Sequence, residues 1–302
     1  MIVVTRPVRK VRFVEDAPDD PFWRTLHRLA DEAYPGVARE TLALLREAGG
    51  TVDLGALAAR LQGQNRIAAE ALLQEAWEQV SERGFAKIAA RLETLAAQVA
   101  EQTAIAELSV ALDVPDREAL RRIQQGIGER VVAIDQTTRA GITRVIEAAF
   151  TSGTALPEQI DTLAKLVGLT PTQVDSVTRY EEGLRQAGEK PARIAKLVQK
   201  RTNELRQRRA EAIARTETIN AASAGQQARW EQAAREGLID ESFARHWIVT
   251  PDDRLCPICA AIPGLNPQGV RLQEPFQTPS GPILHPAAHV QCRCAVSLRR
   301  TA

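Results

Sequence analysis

All four cysteines of this 302-residue chain, Cys256, Cys259, Cys292 and Cys294, fall within its last fifty residues. Cys256-Pro257-Ile258-Cys259 is a knuckle, and His285, His289, Cys292 and Cys294 follow after a gap. Two thiolates at that spacing aim at one cation, and two further soft ligands complete a tetrahedron. Zn2+ suits such a set and stabilises segments too small to hold themselves together. Cys256 and Cys259 are the first expected ligands. The other two come from Cys292, Cys294 and His289, with His285 as the alternative histidine. Four protein ligands leave no open position, so the expected site is structural. Free thiols in a loop, or two disulfides, are the competing readings. Disulfides fit poorly in a chain made in a reducing cytoplasm.

The rest of the chain has the opposite character. Ala, Leu, Glu, Gln and Arg dominate and aromatic residues make up only 4%, a mixture suited to long helices packed through aliphatic side chains. With 39 basic and 38 acidic residues, the chain is not a bulk binder of polyanions, although local basic stretches can touch nucleic acid. No apolar run approaches the ~20 residues of a membrane span. The start, MIVVTRPVRKVRF, is too short in apolar residues for a secretory signal.

Residues 1–18 alternate apolar and basic side chains and are expected to form a short strand or arm. Residues 19–140 form a first helical region. Its opening helix is expected over 21–47, capped near Asp19-Asp20-Pro21, interrupted near Pro35-Gly36 and ended by Ala48-Gly49-Gly50. Over 53–112, Leu54, Leu57, Leu61, Leu73, Trp77, Val80, Ile88, Leu92, Leu95, Val99 and Leu108 recur at helical spacing, with Gly63 and Gly84 as candidate breaks. Heptad fidelity is poor, so an intramolecular bundle is favoured over a partner-binding coiled coil. Another helix is expected from Val114-Pro115-Asp116 to about Ser152. Gly153, Pro157 and Gly168 to Pro171 then punctuate shorter helices in a second region, 141–237. Its last helix runs from Pro191 to about Glu236, stopped by Gly237. Prolines and glycines multiply beyond 238, and residues 238–302 form the cysteine module. The expected fold is mainly α, long helices in bundles or hairpins, with a small zinc-stapled α+β or loop-rich C-terminal module.

Three other features are candidates for chemistry. Residues 163–174, LAKLVGLTPTQV, imitate a DNA-reading helix-turn-helix. The would-be recognition helix offers a single Arg179 beside Asp175, too little cationic or amide character, and a plain helical hairpin fits better. Between Lys190 and Arg215 stand nine Lys or Arg against two Glu. Lys196, Lys200, Arg201, Arg206, Arg208 and Arg209 are therefore candidate contacts to DNA phosphates or to an acidic partner, against the commoner reading of a solvated face. Asp252 and Asp253 precede the knuckle and read as a turn, an anchor behind the metal ligands, or an acid/base pair.

Taken in order, these pieces resemble the phage head-morphogenesis family typified by the F protein of phage Mu, over about residues 141–298. Gly168 to Val174 resembles the family's GLTPRQ turn, and Ala214-Arg215-Thr216-Glu217-Thr218 its ARTE helix. Asp253 to Cys259 resembles its D-x-x-C-x-x-C run, and His289 to Cys294 its terminal HPxCRC. Val290 stands where the family usually has proline, while His285-Pro286 lies just upstream, so both histidines stay open. The resemblance implies a minor structural protein of the virion, present in few copies inside the head or near the portal. Its partners would be the portal and the major capsid or scaffold protein, DNA being possible, and it would oligomerise on assembly. It also implies synthesis in the bacterial host cytoplasm. Some members carry a toxin domain after this module, and none is expected in the eight residues after Cys294. Residues 1–140 lie outside the resemblance.

Two rival functions follow from the same residues. A nucleic-acid-binding regulator would use the helix-turn-helix look-alike and show steeply salt-dependent binding. A zinc hydrolase would use Asp252 or Asp253 as general base and needs a water-bearing metal position. The structural, non-enzymatic reading is the one expected.

Overall fold

Proline at the first position of a helix gives up no intrahelical hydrogen bond and pre-sets φ, and among the described residues five helices open on one. They are α1 (Pro21–Gly50), α5 (Pro157–Leu166), α6 (Pro171–Gln186), α7 (Pro191–Arg235) and α8 (Pro257–Leu265). The other described helices are α2 (Leu54–Gln62), α3 (Arg66–Gln102) and α4 (Arg117–Thr151), and the described strands are β1 (Phe243–Ile248) and β2 (Ala295–Arg300). This computed structural model describes residues 20–103, 117–151, 157–250 and 252–301. The arm expected over 1–18, the helix start at Val114-Pro115-Asp116, Leu108, Gly153 and Pro251 lie outside the described residues.

Caps mark the starts that the sequence announces. Asp20 Oδ1 accepts from the amides of Phe22 and Trp23 at 2.9 and 3.1 Å. Thr170 and Gln173 form a reciprocal capping box at the start of α6. Gly63 ends α2, its N–H turned back to the carbonyls of Ala59 and Leu61. Two expected breaks do not occur. α1 runs unbroken through Pro35-Gly36: proline removes one backbone hydrogen bond, but Tyr34, Val37 and Ala38 are all buried around it. α3 likewise runs through Gly84, where the Leu44 side chain fills the space a Cβ would take, at 2.6 Å.

The described residues form two compact units. One contains residues up to 38, 89–129 and 212–302; the other contains 39–88 and 130–211. They do not follow the chain-order divisions expected at 140, where the family resemblance begins, and at 237, where the composition changes. In the second unit Leu45, Leu57, Leu73, Trp77, Ile142 and Leu169 are buried, each stabilising by about 1.5–3 kcal/mol. Trp77 also donates its indole N–H to Asp135 at 2.6 Å. Among the described residues of the stripe, those from Leu57 to Val99 are buried as bundle core and Leu54 stands exposed.

The first unit holds the cysteines. β1 and β2 pair antiparallel, from Phe243 opposite Arg300 to Ile248 opposite Ala295. The apolar side chains after residue 238 gather into a core of Phe243, Trp247, Ile262, Phe276, Val296 and Leu298 around Trp230 of α7. Trp247 and Phe276 meet edge to face at 5.2 Å. α7 lies close to α3, since a Cβ on Gly225 would stand 2.1 Å from the Ala96 carbonyl oxygen. Among the described residues no helix is long and apolar enough to cross a membrane.

Candidate metal centre

Cys256 is the N-cap of α8, and its Sγ accepts from the Cys259 amide at 3.3 Å. A sulfur at a helix start meets backbone N–H groups that have no acceptor within the helix. That geometry also turns Cys259, one helical turn on, back toward Cys256. His289 Nε2 lies 3.0 Å from both sulfurs. Its other ring nitrogen, Nδ1, lies 2.8 Å from the Val290 carbonyl oxygen, the outer contact that fixes a ligand tautomer and leaves Nε2 for a cation. Cys259 Sγ stands 3.8 Å from Cys292 Sγ, about the edge of a tetrahedron with metal–sulfur bonds of about 2.3 Å.

The ligand atoms fall into two overlapping groups, Cys256–Cys259–His289 and Cys259–Cys292–Cys294, each with its members within 4.8 Å of one another. Cys259 belongs to both. Among the three buried sulfurs, the Cys292 thiol has its pKa lowered, chiefly by hydrogen bonds from Cys259 and Cys294. Hydrogen bonding to Cys292 and Cys294 pushes the Cys259 thiol up. A divalent cation replaces such shared protons and holds every thiol as thiolate. The five expected ligands Cys256, Cys259, His289, Cys292 and Cys294 are thus brought together. His285 is in neither group, and its Nδ1 sits 2.7 Å from the Pro286 carbonyl oxygen.

The segment carrying Cys292 and Cys294 is fixed by its middle residue. Arg293 makes a two-pronged ion pair with Asp252, Nη2 to Oδ1 at 2.6 Å and Nη1 to Oδ2. Thr250 Oγ1 donates to the Arg293 carbonyl at 2.9 Å. Asp252 is held well below the ordinary carboxylate range, first by those Arg293 bonds and also by Arg254. A carboxylate so engaged is an anchor and a poor general base. Asp253 is exposed.

The family-motif residues of α7 reach the same loop. Thr216 Oγ1 accepts from the amide of Gln291 at 3.0 Å, pinning a residue with φ of 62° between His289 and Cys292. Glu217 is buried, and Arg215 is half-buried over the Tyr34 ring at 5.9 Å.

Two residues at this site escaped sequence reasoning. Arg245, fully buried on β1, donates to Gln227 Oε1 at 2.9 Å and to the carbonyls of Leu284 at 2.6 Å, Arg271 and Glu274. It therefore ties down the loop over 271–284, and its lone signal is an arginine in the alternating run Phe243-Ala244-Arg245-His246-Trp247. His27 of α1, also buried, faces the Arg293 backbone and the Cys292 thiol. Burial pushes it down to about 3, so it stays neutral.

The basic stretch of α7 divides in two. Lys196, Lys200 and Arg208 are exposed, and Arg201 is half-buried with Nη2 3.3 Å from Ser176 Oγ. Arg206 and Arg209 are buried, which corrects their assignment as DNA or partner contacts. Arg206 donates to the carbonyls of Lys165 and Val167, and Arg209 to Gly168 at 2.7 Å and to Thr138 Oγ1 at 2.9 Å. They satisfy the carbonyls of the α5–α6 turn, the same turn that imitates a DNA-reading motif.

Neither a curated protein nor a solved structure matches the chain. Over residues 172–297, a segment that carries Thr216 and every candidate metal ligand, the chain matches the family model described as Phage Mu protein F like protein.

Proposed function

We propose that this protein is a minor structural component of a tailed-phage head, working in procapsid assembly beside the portal, and that a zinc ion holds its C-terminal module in shape. The observation that carries this reading is that the family match spans the whole thiolate–imidazole cluster. Cys256, Cys259 and His289 supply three ligands and Cys292 the fourth, with Cys294 behind them. Four protein ligands leave no place for a reactive water, and Asp252 is committed to Arg293. The metal's part is therefore structural rather than enzymatic. The portal and the major capsid or scaffold protein are the proposed partners, with the exposed Lys196, Lys200 and Arg208 available to DNA or to an acidic surface. The proposed place is the head interior, reached on assembly from the host cytoplasm.

The test is deletion of the gene from the phage that encodes it. We expect the yield of infectious particles to collapse, with restoration by the wild-type chain and not by the Cys256→Ser/Cys259→Ser variant. Normal heads and normal infectivity without the protein would overturn the assignment. Elemental analysis of the purified chain is expected to give about one zinc per chain, lost in the double variant.

A further inference from the structure

The candidate metal ligands all lie beyond residue 255, yet a side chain that interacts with Cys292 and the Arg293 backbone comes from the first helix. His27 is 2% exposed, its ring stacked on Trp23 of the preceding turn with centroids 4.0 Å apart. Two more contacts join the start of α1 to the cysteine module. Asp20 Oδ2 lies 3.4 Å from Arg299 Nη2 on β2. Phe22 meets Trp230 edge to face at 5.6 Å and packs against the apolar cluster that contains Cys259, Cys292 and Cys294.

Around Arg293, Asp252 holds the guanidinium and Thr250 the carbonyl. Those contacts all come from the chain just before the knuckle. The ring of His27 meets this segment from a different element. A flat, neutral imidazole can lie against a backbone and a sulfur without adding a second charge.

We propose that His27 is a positioning residue of the metal centre, setting Cys292 and Arg293 from α1, so that metal binding and the seating of the first two turns of α1 are coupled. The inference rests on the proposed zinc reading. Coupling of this kind is reciprocal. The ion holds α1 down by the same factor by which a seated α1 tightens the ion.

The test uses the full chain with zinc, and elemental analysis comes first. Hydrogen exchange is followed over residues 21–34 before and after zinc is removed by a chelator, with residues 66–80 as internal reference. We expect exchange over 21–34 to rise about tenfold or more while 66–80 is unchanged. His27→Ala is expected to keep about one zinc per chain but yield it to a competing chelator roughly tenfold more readily, the lower end for loss of an outer partner. His27→Gln, which keeps a polar planar side chain, should recover part of that loss. With cobalt in place of zinc, the ligand-field bands should shift in His27→Ala and move back in His27→Gln. Wild-type zinc retention and bands in His27→Ala, or exchange over 21–34 indifferent to zinc, would overturn the coupling alone. A wild-type chain that binds no zinc would overturn both the coupling and the zinc reading beneath it. Should His27→Ala fail to fold, Phe22→Ala carries the same retention test, with the same outcomes deciding.

Discussion

Asp252 turns both carboxylate oxygens on Arg293, the residue between two candidate ligands, and its side chain is only 9% exposed. Removing that charge leaves a guanidinium at 12% exposure without its main partner. Asp252→Asn is therefore expected to cost about 1.5–3 kcal/mol, read by urea unfolding. The sign with pH follows from the direction of the shift. The folded carboxylate is depressed below its ordinary value of 3.8, so the contribution is whole above pH 4 and fades as pH falls below it. The stability gap between wild type and Asp252→Asn should be flat from pH 8 to 5 and narrow in stronger acid; a gap that widens there would contradict the ion pair. The sulfurs give a second prediction at this scale. Cys292 stands at tetrahedral distance from Cys259, and Cys294 is proposed to lie behind the first ligands. In the cobalt-substituted protein Cys292→Ser should lower the thiolate-to-metal charge-transfer band, while Cys294→Ser should leave it near wild type. The reverse pattern would exchange their roles.

Among the elements, α7 shows what a charge count conceals. Nine basic residues read along the sequence as one cationic face, but the helix turns Arg206 and Arg209 inward to the carbonyls of the α5–α6 turn and leaves Lys196, Lys200 and Arg208 outside. The turn requires them. Gly168, with φ of +91°, packs a backbone too tight for a Cβ, which would stand 2.5 Å from the Leu45 carbonyl oxygen, and its own carbonyl is satisfied by Arg209. Arg209→Ala strips partners from Gly168 and Thr138 at once and should cost about 2–4 kcal/mol, measured by denaturant midpoint. The triple change Lys196→Glu/Lys200→Glu/Arg208→Glu should leave that midpoint within about 0.5 kcal/mol. If the helix touches DNA, the same triple change abolishes salt-dependent retention on a DNA column; unchanged retention would remove these residues from any phosphate contact. Helix existence was legible because proline starts, caps and periodic leucines are local signals. The continuity of α1 through Pro35 was not, because tertiary burial of Tyr34 and Val37 outweighs a local propensity.

Across the whole molecule, chain order and compactness part company. The cysteine cluster could be read from spacing alone, since CxxC and CxC place sulfurs together whatever surrounds them. Geometry that no spacing supplies separates the two histidines, because both precede Cys292 within seven residues and only His289 Nε2 meets the sulfurs. His27 was out of reach for a simpler reason: more than 260 residues separate it from Arg293, and a buried histidine on an apolar helix face looks like ordinary core. The unit that contains the cysteines also takes in the start of α1, residues 89–129 and the chain from 212 onward, whereas the other unit, 39–88 and 130–211, contains no cysteine. A structural zinc contributes on the order of 10 kcal/mol to the segment it closes, so loss of the proposed ion would act on the first set of residues. Chelation should lower the melting temperature of the cysteine-bearing unit, followed by near-ultraviolet signals of Trp230 and Trp247, and leave the transition reported by Trp77 within a few degrees. Single-tryptophan variants separate the signals. A common shift in both transitions would mean that the ion holds the entire chain as one cooperative fold; no shift in either would deny it a stabilising part.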